Sequence, residues 1–214
     1  RKGVGSYQLS RDGRYLYYLV NTEHVAEDRW KKVRGKFKSL KYGDGVEKFS
    51  ELWRLDLQHW RSEKLIAEKR VIGGFDVAPG GQRIAMKTTP NRKLISNEGH
   101  SRIDIWDATS KKVTSLPDKL WRADAPSPYG WLDSPAWSHD NRALAFTIDF
   151  DGYPSELFVA NFSTDAPTLR KMKRSNEETV SGGGPVRWRG RSHDLMYLAE
   201  DKARVRVYVI EDAT

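Results

Sequence analysis

The sequence predicts an all-β protein assembled from four copies of one four-stranded antiparallel sheet, and three observations carry that prediction. First, a short pattern recurs in which an apolar residue, a turn and a second apolar residue keep a spacing of seven positions. Its copies are Leu9-Ser10-Arg11-Asp12-Gly13-Arg14-Tyr15-Leu16, Val77-Ala78-Pro79-Gly80-Gly81-Gln82-Arg83-Ile84, Trp137-Ser138-His139-Asp140-Asn141-Arg142-Ala143-Leu144 and Trp188-Arg189-Gly190-Arg191-Ser192-His193-Asp194-Leu195. Second, each copy leads into an apolar run: Leu16-Tyr17-Tyr18-Leu19-Val20, Ile84-Ala85-Met86, Leu144-Ala145-Phe146-Thr147-Ile148 and Leu195-Met196-Tyr197-Leu198. Third, a further run then closes on an acid or amide, at Asp56, Asp107, Asn161 and Glu211. With a short fourth strand where chain remains, as in Lys64-Leu65-Ile66-Ala67 and Lys112-Val113-Thr114-Ser115-Leu116, this makes four strands in roughly 40 to 50 residues, the arithmetic of a β-propeller blade.

The blades are expected at about 4–68, 71–117, 134–173 and 180–214, with a basic insertion at 21–50 carrying a short helix in the first. Asp12-Gly13, Gly80-Gly81 and Asp140-Asn141 supply residues that tolerate positive φ, as a tight hairpin between the first two strands of a blade requires. The fourth copy has Arg191-Ser192 at that place, so its turn is less well specified. The strand after each turn is apolar on both faces, as expected when a sheet is sandwiched between neighbours. A single twisted sandwich is the alternative, but it has no reason to keep the seven-residue spacing four times. Four blades amount to about half of a larger ring, whose open ends would need the rest of the polypeptide, a second copy of the chain, or closure of the four blades on themselves.

The 214 residues are 38% hydrophobic with eight Trp, enough for a folded core, while the formal net charge is +8. No apolar run reaches the ~18 residues of a membrane span. The chain opens Arg1-Lys2-Gly3 without a start Met or a signal-like apolar region, which reads as a mature or excised piece. The lack of Cys excludes disulfides, a thiol nucleophile and Cys-ligated zinc. It does not choose a compartment, and bacterial cytoplasm and periplasm both stay open.

Spacing assigns a functional face. From the start of the second strand to the end of the third the chain runs 40 residues in the first copy, 23 in the second, 17 in the third and 16 in the fourth. The extra length lies between the second and third strands, and in an up-and-down blade these loops emerge on the same side as the blade-to-blade connections. The functional surface is therefore expected on 21–50, 87–101, 117–135 and 149–155.

Three segments supply its candidate residues. In the first insertion, between Arg29 and Lys41, seven basic residues, Arg29, Lys31, Lys32, Arg34, Lys36, Lys38 and Lys41, stand without an acidic one. Trp30, Val33, Phe37 and Leu40 fall at helical spacing between them, so an electropositive rim for acidic ligands and an amphipathic helix docked by its apolar stripe are both open readings. No stacking platform or nucleic-acid motif accompanies the charge, so nucleic acid is not an expected partner. Within the connection 117–135 the stretch 117–131 places Trp121, Tyr129 and Trp131 among three Pro, where they either line a ligand site or plug the gap between blades. Phe150 and Tyr153 flank an Asp151-Gly152 turn whose carboxylates lack the spacing of a calcium loop.

Catalytic machinery is not found. No G-x-S-x-G occurs, and His24, His59, His100, His139 and His193 are scattered without metal-ligand spacing. No phosphate loop or dinucleotide fingerprint is present, so neither metal nor cofactor is expected.

The turn-and-strand pattern, clearest in Ser10-Arg11-Asp12-Gly13-Arg14-Tyr15-Leu16 and Trp137-Ser138-His139-Asp140-Asn141-Arg142-Ala143-Leu144-Ala145-Phe146, resembles the WD40-like propeller repeat shared by TolB proteins and prolyl oligopeptidase-type serine peptidases, dipeptidyl and acylaminoacyl peptidases among them. The long first insertion, with Asp28-Arg29-Trp30-Lys31-Lys32 and Tyr42-Gly43-Asp44-Gly45, looks more like the amino-terminal propeller of a bacterial peptidase than like TolB. The resemblance covers the whole chain, but only as propeller. It implies a non-catalytic part that filters peptide substrates for an α/β-hydrolase domain of the same parent protein, a domain that carries the catalytic Ser, Asp and His and is not in this sequence. The acidic helix of the dipeptidyl peptidases has no match here, and no functional residue is carried over. The alternative implied is a TolB-like protein-binding propeller of the periplasm.

Overall fold

The computed structural model describes residues 3–22, 35–36, 49–89, 99–164, 166–174, 178–181 and 184–214. Sixteen strands form four antiparallel sheets. The first orders β1 (Val4–Leu9), β2 (Tyr15–Asn21), β3 (Ser50–Asp56) and β4 (Arg61–Lys64), each beside the next. The second repeats this with β5 (Val71–Val77), β6 (Arg83–Thr89), β7 (Arg102–Asp107) and β8 (Val113–Ser115). One helical turn, α1 (Lys119–Arg122), precedes the third sheet of β9 (Gly130–Trp137), β10 (Ala143–Phe150), β11 (Glu156–Asn161) and β12 (Thr168–Lys171). In the fourth, β15 (Leu195–Asp201) pairs with β16 (Arg204–Ile210) on one side, and on the other with both β13 (Thr179–Val180) and β14 (Val186–Trp188), two pieces of one interrupted innermost strand.

The repeated turn explains why each sheet starts alike. In the first copy the Ser10 hydroxyl accepts from the Tyr15 amide at 2.8 Å and donates to Asp12 at 2.6 Å, while Asp12 accepts from the Arg14 amide. Ser138 and Asp140 reproduce this with the amides of Ala143 and Arg142. Gly13, Gly81 and Asn141 sit at φ 70, 68 and 62, closing short hairpin loops that need the left-handed region. The fourth copy keeps the same backbone bonds, Arg189 N to Asp194 O and Ser192 N to Arg189 O, but moves the positive φ to Gly190. At the far end of the third strand in the first three sheets the acid or amide caps the next turn: Asp56 takes the amides of Gln58 and His59, Asp107 those of Thr109 and Ser110, and Asn161 that of Ser163.

The innermost strands β1, β5, β9 and β14 adjoin in that order, so the sheets fan out as an arc. Three apolar layers fill the three gaps. Tyr17, Leu19 and Leu52 meet Ile84, Met86 and Trp106 between the first and second sheets. Ile103 and Ile105 meet Leu144, Phe146 and Phe158 between the second and third, and Leu157 and Val159 meet Leu195 and Tyr197 between the third and fourth. Within the second sheet the fully buried Asp104 is neutralised by Arg70 at 2.6 Å and also accepts from Thr88 and Ser115, so its burial is compensated by a full set of donors.

Because every sheet runs up and down, its connections divide cleanly. The β1–β2 and β3–β4 turns and their counterparts lie at one edge of the arc; the β2–β3, β6–β7 and β10–β11 connections, with the links between sheets, lie at the other. In the fourth sheet the β15–β16 connection at that second edge is the Lys202-Ala203 hairpin, both residues at positive φ.

Candidate functional site

The long-connection edge is where the expected site residues fall. Arg29, Trp30, Lys31, Lys32 and Arg34 lie outside the described residues; of the insertion around them only Gly35 and Lys36 are described, helical and exposed. The other five separate by burial. Trp121, on α1, is 3% exposed, and its ring stands 5.9 Å from that of Phe150, itself 5% exposed. The two fill the gap between the second and third sheets. α1 is fixed there by Arg122, which bonds Asp118 at 3.1 Å and the Pro128 carbonyl at 2.7 Å while its guanidinium lies 4.2 Å over the Trp121 ring.

Tyr129 and Tyr153 instead face water, at 46% and 53% exposure. Trp131, expected in a connecting loop, stands half-buried on β9, which starts at Gly130. His100 sets its ring edge-on to Tyr129 at 6.2 Å, and its backbone bridges to Gly130. The Gly130 amide donates to Gly99 and the Leu132 amide donates to the Ser101 hydroxyl at 2.6 Å, so the end of the second blade's long loop is stitched to the first strand of the third blade. On the other side of β9 the β10–β11 loop turns at Gly152, is closed by a Ser155–Asp149 hydrogen bond and bridges to Val180 of the fourth sheet. The edge thus presents phenol rings and an imidazole on loops held by backbone bonds. Among the described residues no group of three or more His, Asp or Glu is placed to hold a metal ion, and no helix is long and apolar enough to cross a membrane.

A second set of polar residues, on the concave side, was not found by the sequence reading. Asp76 on β5 accepts from the Gln8 side chain of β1 at 3.1 Å and from the Trp137 amide of β9 at 2.7 Å, tying three blades together. Burial pushes its carboxyl above the usual range, against the lowering effect of those two donors and the Arg187 charge. The available signal was positional: Gln8, Asp76, Ala136 and Arg187 each precede the apolar residue that opens the repeat, so one face of every innermost strand lines the axis.

No family model matches the chain, and no curated protein matches it in sequence. Solved structures do match in fold. TolB from Acinetobacter baumannii superposes with a TM-score of 0.58 at 10% identity, over 98% of this chain and 41% of that one. The β-propeller domain of the trilobed protease from Pyrococcus furiosus gives 0.57 at 11%, over 100% and 56%, and a puromycin-hydrolyzing peptidase of Mycobacterium tuberculosis gives 0.61 at 14%, over 98% and 30%. The fold is a β-propeller. At such identities the likeness speaks for the fold alone. The chain spans less than two thirds of each of these proteins.

Proposed function

We propose that this propeller is the non-catalytic part of a serine peptidase, admitting and selecting peptide substrates for an α/β-hydrolase domain that lies outside the chain. The observation that carries the reading is the asymmetry of the arc. Long connections with exposed Tyr129, Tyr153 and His100 gather at one edge, while the opposite edge has tight turns. Propellers of the same fold occur in peptidases such as the puromycin-hydrolyzing enzyme and acylaminoacyl peptidase. In the proposal Tyr129, Trp131 and Tyr153 contact the peptide, Trp121 and Phe150 support them from beneath, and Arg29, Trp30, Lys31, Lys32 and Arg34 bias the rim toward acidic peptides.

The test is made in the polypeptide that joins this chain to its hydrolase domain. Replacing Tyr129 and Tyr153 together by Ala should raise KM severalfold for peptide substrates and leave labelling by a serine-reactive fluorophosphonate unchanged, since the rings bind substrate without touching the nucleophile. Unaltered KM across a peptide panel would refute the role of this edge.

A second reading, a TolB-like periplasmic propeller that recruits a protein partner, is supported by the equally good superposition on TolB. It differs in its consequence: a polypeptide without a hydrolase domain and without reactivity toward the probe. In either case the two ends of the arc await a covering partner, which on this proposal is the remainder of the same polypeptide or a second copy of the chain.

A further inference from the structure

On the concave side of the arc, at the edge opposite the long connections, lies a cavity of about 220 Å³ whose walls come from all four blades, among them Arg11, Asp76, Trp137, His139, Arg187 and Trp188. Its construction follows the repeat. Arg11, Pro79, His139 and Gly190 hold the third position of the repeated pattern, and Gln8, Asp76, Ala136 and Arg187 the position just before it begins. Blade formation demands no charge at either place, since Pro, Gly and Ala serve in the other copies. The arginines are therefore additions to the fold.

Among the described residues neither arginine has a carboxylate at hydrogen-bond distance, although the Arg187 charge acts on Asp76 through space. Arg14, Arg54, Arg70 and Arg174 each reach a carboxylate within 3.3 Å. Among the described residues Arg11 has no hydrogen bond or ion pair, and Arg187 only a bond to the neighbouring Val186 carbonyl at 2.8 Å. Asp76 lines the same cavity, and its hydrogen bonds are to the Gln8 side chain and the Trp137 amide rather than to either guanidinium. Two guanidinium groups, from the first and the last blade, thus converge on one hollow with a single, already engaged carboxylate. The remaining walls are apolar and fixed: the Trp188 indole is held by the Ala136 carbonyl at 2.9 Å, Trp137 lies in the core, and Pro79 is stiff. His139 adds a ring 5.0 Å from that of His193, with an Nδ1 that has no hydrogen-bond partner.

We propose that this cavity binds a carboxylate carried on an apolar body the size of one residue, the C-terminal residue of a peptide, with Arg11 and Arg187 on the carboxylate and Trp137, Trp188 and Pro79 against the side chain. Guanidinium forks match a carboxylate in two parallel bonds, and the indole faces accept an aliphatic or aromatic side chain. The volume suits one residue. This assignment stands apart from the peptidase reading, since it uses the other edge of the arc and needs no hydrolase domain.

The test titrates the whole polypeptide that contains this chain with N-acetyl-Ala-Phe, with its C-terminal amide and with inorganic phosphate, by calorimetry and Trp fluorescence. The free acid should bind saturably, and amidation should weaken binding tenfold or more. Arg11→Gln and Arg187→Gln should each do the same, and both exposed positions should leave thermal unfolding unchanged. Equal binding of acid and amide, no saturable binding, or indifference to both substitutions would overturn the site. Phosphate binding as tight as the peptide acid would overturn the peptide assignment in favour of a bare oxyanion hole.

Discussion

The side chains that shape this chain most are small polar ones acting on backbone amides. Ser138 is fully buried, and its hydroxyl satisfies the Ala143 amide while donating to Asp140. Ser138→Ala leaves that amide without its side-chain acceptor and should lower unfolding free energy by about 1–2 kcal/mol in urea denaturation. The carboxylates of these turns and the axial Asp76 titrate in opposite senses. Burial would raise Asp140, but Ser138, the Arg142 amide and the charges of His193 and His139 hold it below its ordinary value of 3.8. The same balance takes Asp56 down to about 2, through the His59 and Gln58 amides, the His59 ring and Arg14. Such groups contribute stability above 3.8 that is lost as pH falls through their folded values. Asp76, raised by burial, destabilises the fold above its ordinary range, and that penalty is relieved as pH falls through its raised value. The stability of the native chain minus that of Asp76→Asn should rise as pH is lowered from neutrality toward 4, and the same difference for Asp140→Asn should fall below it. Equal slopes in pH-dependent denaturation would contradict this. The turn residues were readable because their partners are two to five positions away. The Asp76 contacts, spanning 68 and 61 residues, were not, since nothing local marks them.

Among elements, the strands after each turn were legible from their apolar runs, and their burial sorts them by neighbour. β10 is buried on both faces except at Asp149, and β6 nearly so, whereas β2 and β15 alternate between buried and half-exposed residues despite equally apolar sequences. The sequence pattern reports what a strand is built to tolerate; the alternation reports that the first and last sheets have a neighbour on one side only. The 117–135 segment was harder, because Pro and aromatic residues fit a ligand loop and a packed plug equally well. Packing decided it for Trp121, which Gly130 admits by lacking a side chain: a Cβ there would stand 2.7 Å from the Trp121 ring and 3.1 Å from Ile148. Gly130→Ala should therefore cost about 1–3 kcal/mol by overpacking, read as a lowered urea midpoint, with the loss reduced when Trp121 is shortened to Leu in the same chain. The break between β13 and β14 had its signal in Ser181-Gly182-Gly183-Gly184-Pro185, where glycine and proline interrupt an inner strand.

At the scale of the whole molecule four sheets make three interfaces and leave two apolar faces. On the first blade Tyr7, Tyr18 and Trp53 line up across neighbouring strands, as do Leu9, Leu16 and Leu55, with Tyr7 71% and Leu9 55% exposed. On the fourth, Val205, Val207 and Val209 stand opposite Glu200, Leu198 and Met196, with Val207 64% exposed. Faces of this kind mark a protein that packs against more protein, in keeping with a chain that covers 56% of a related propeller domain. The fold was legible because a repeat states its own rule four times. The proposed site was less so, because it is specified by loop length and by which rings stay wet, and only the first of these is written in the sequence. The central claim, that this propeller serves a serine hydrolase, is tested most directly by exposing the whole polypeptide that contains it, and the isolated 214-residue chain, to a serine-reactive fluorophosphonate. Labelling of the whole polypeptide alone is the predicted result; absence of labelling in both would contradict the claim and leave the protein-binding propeller in its place.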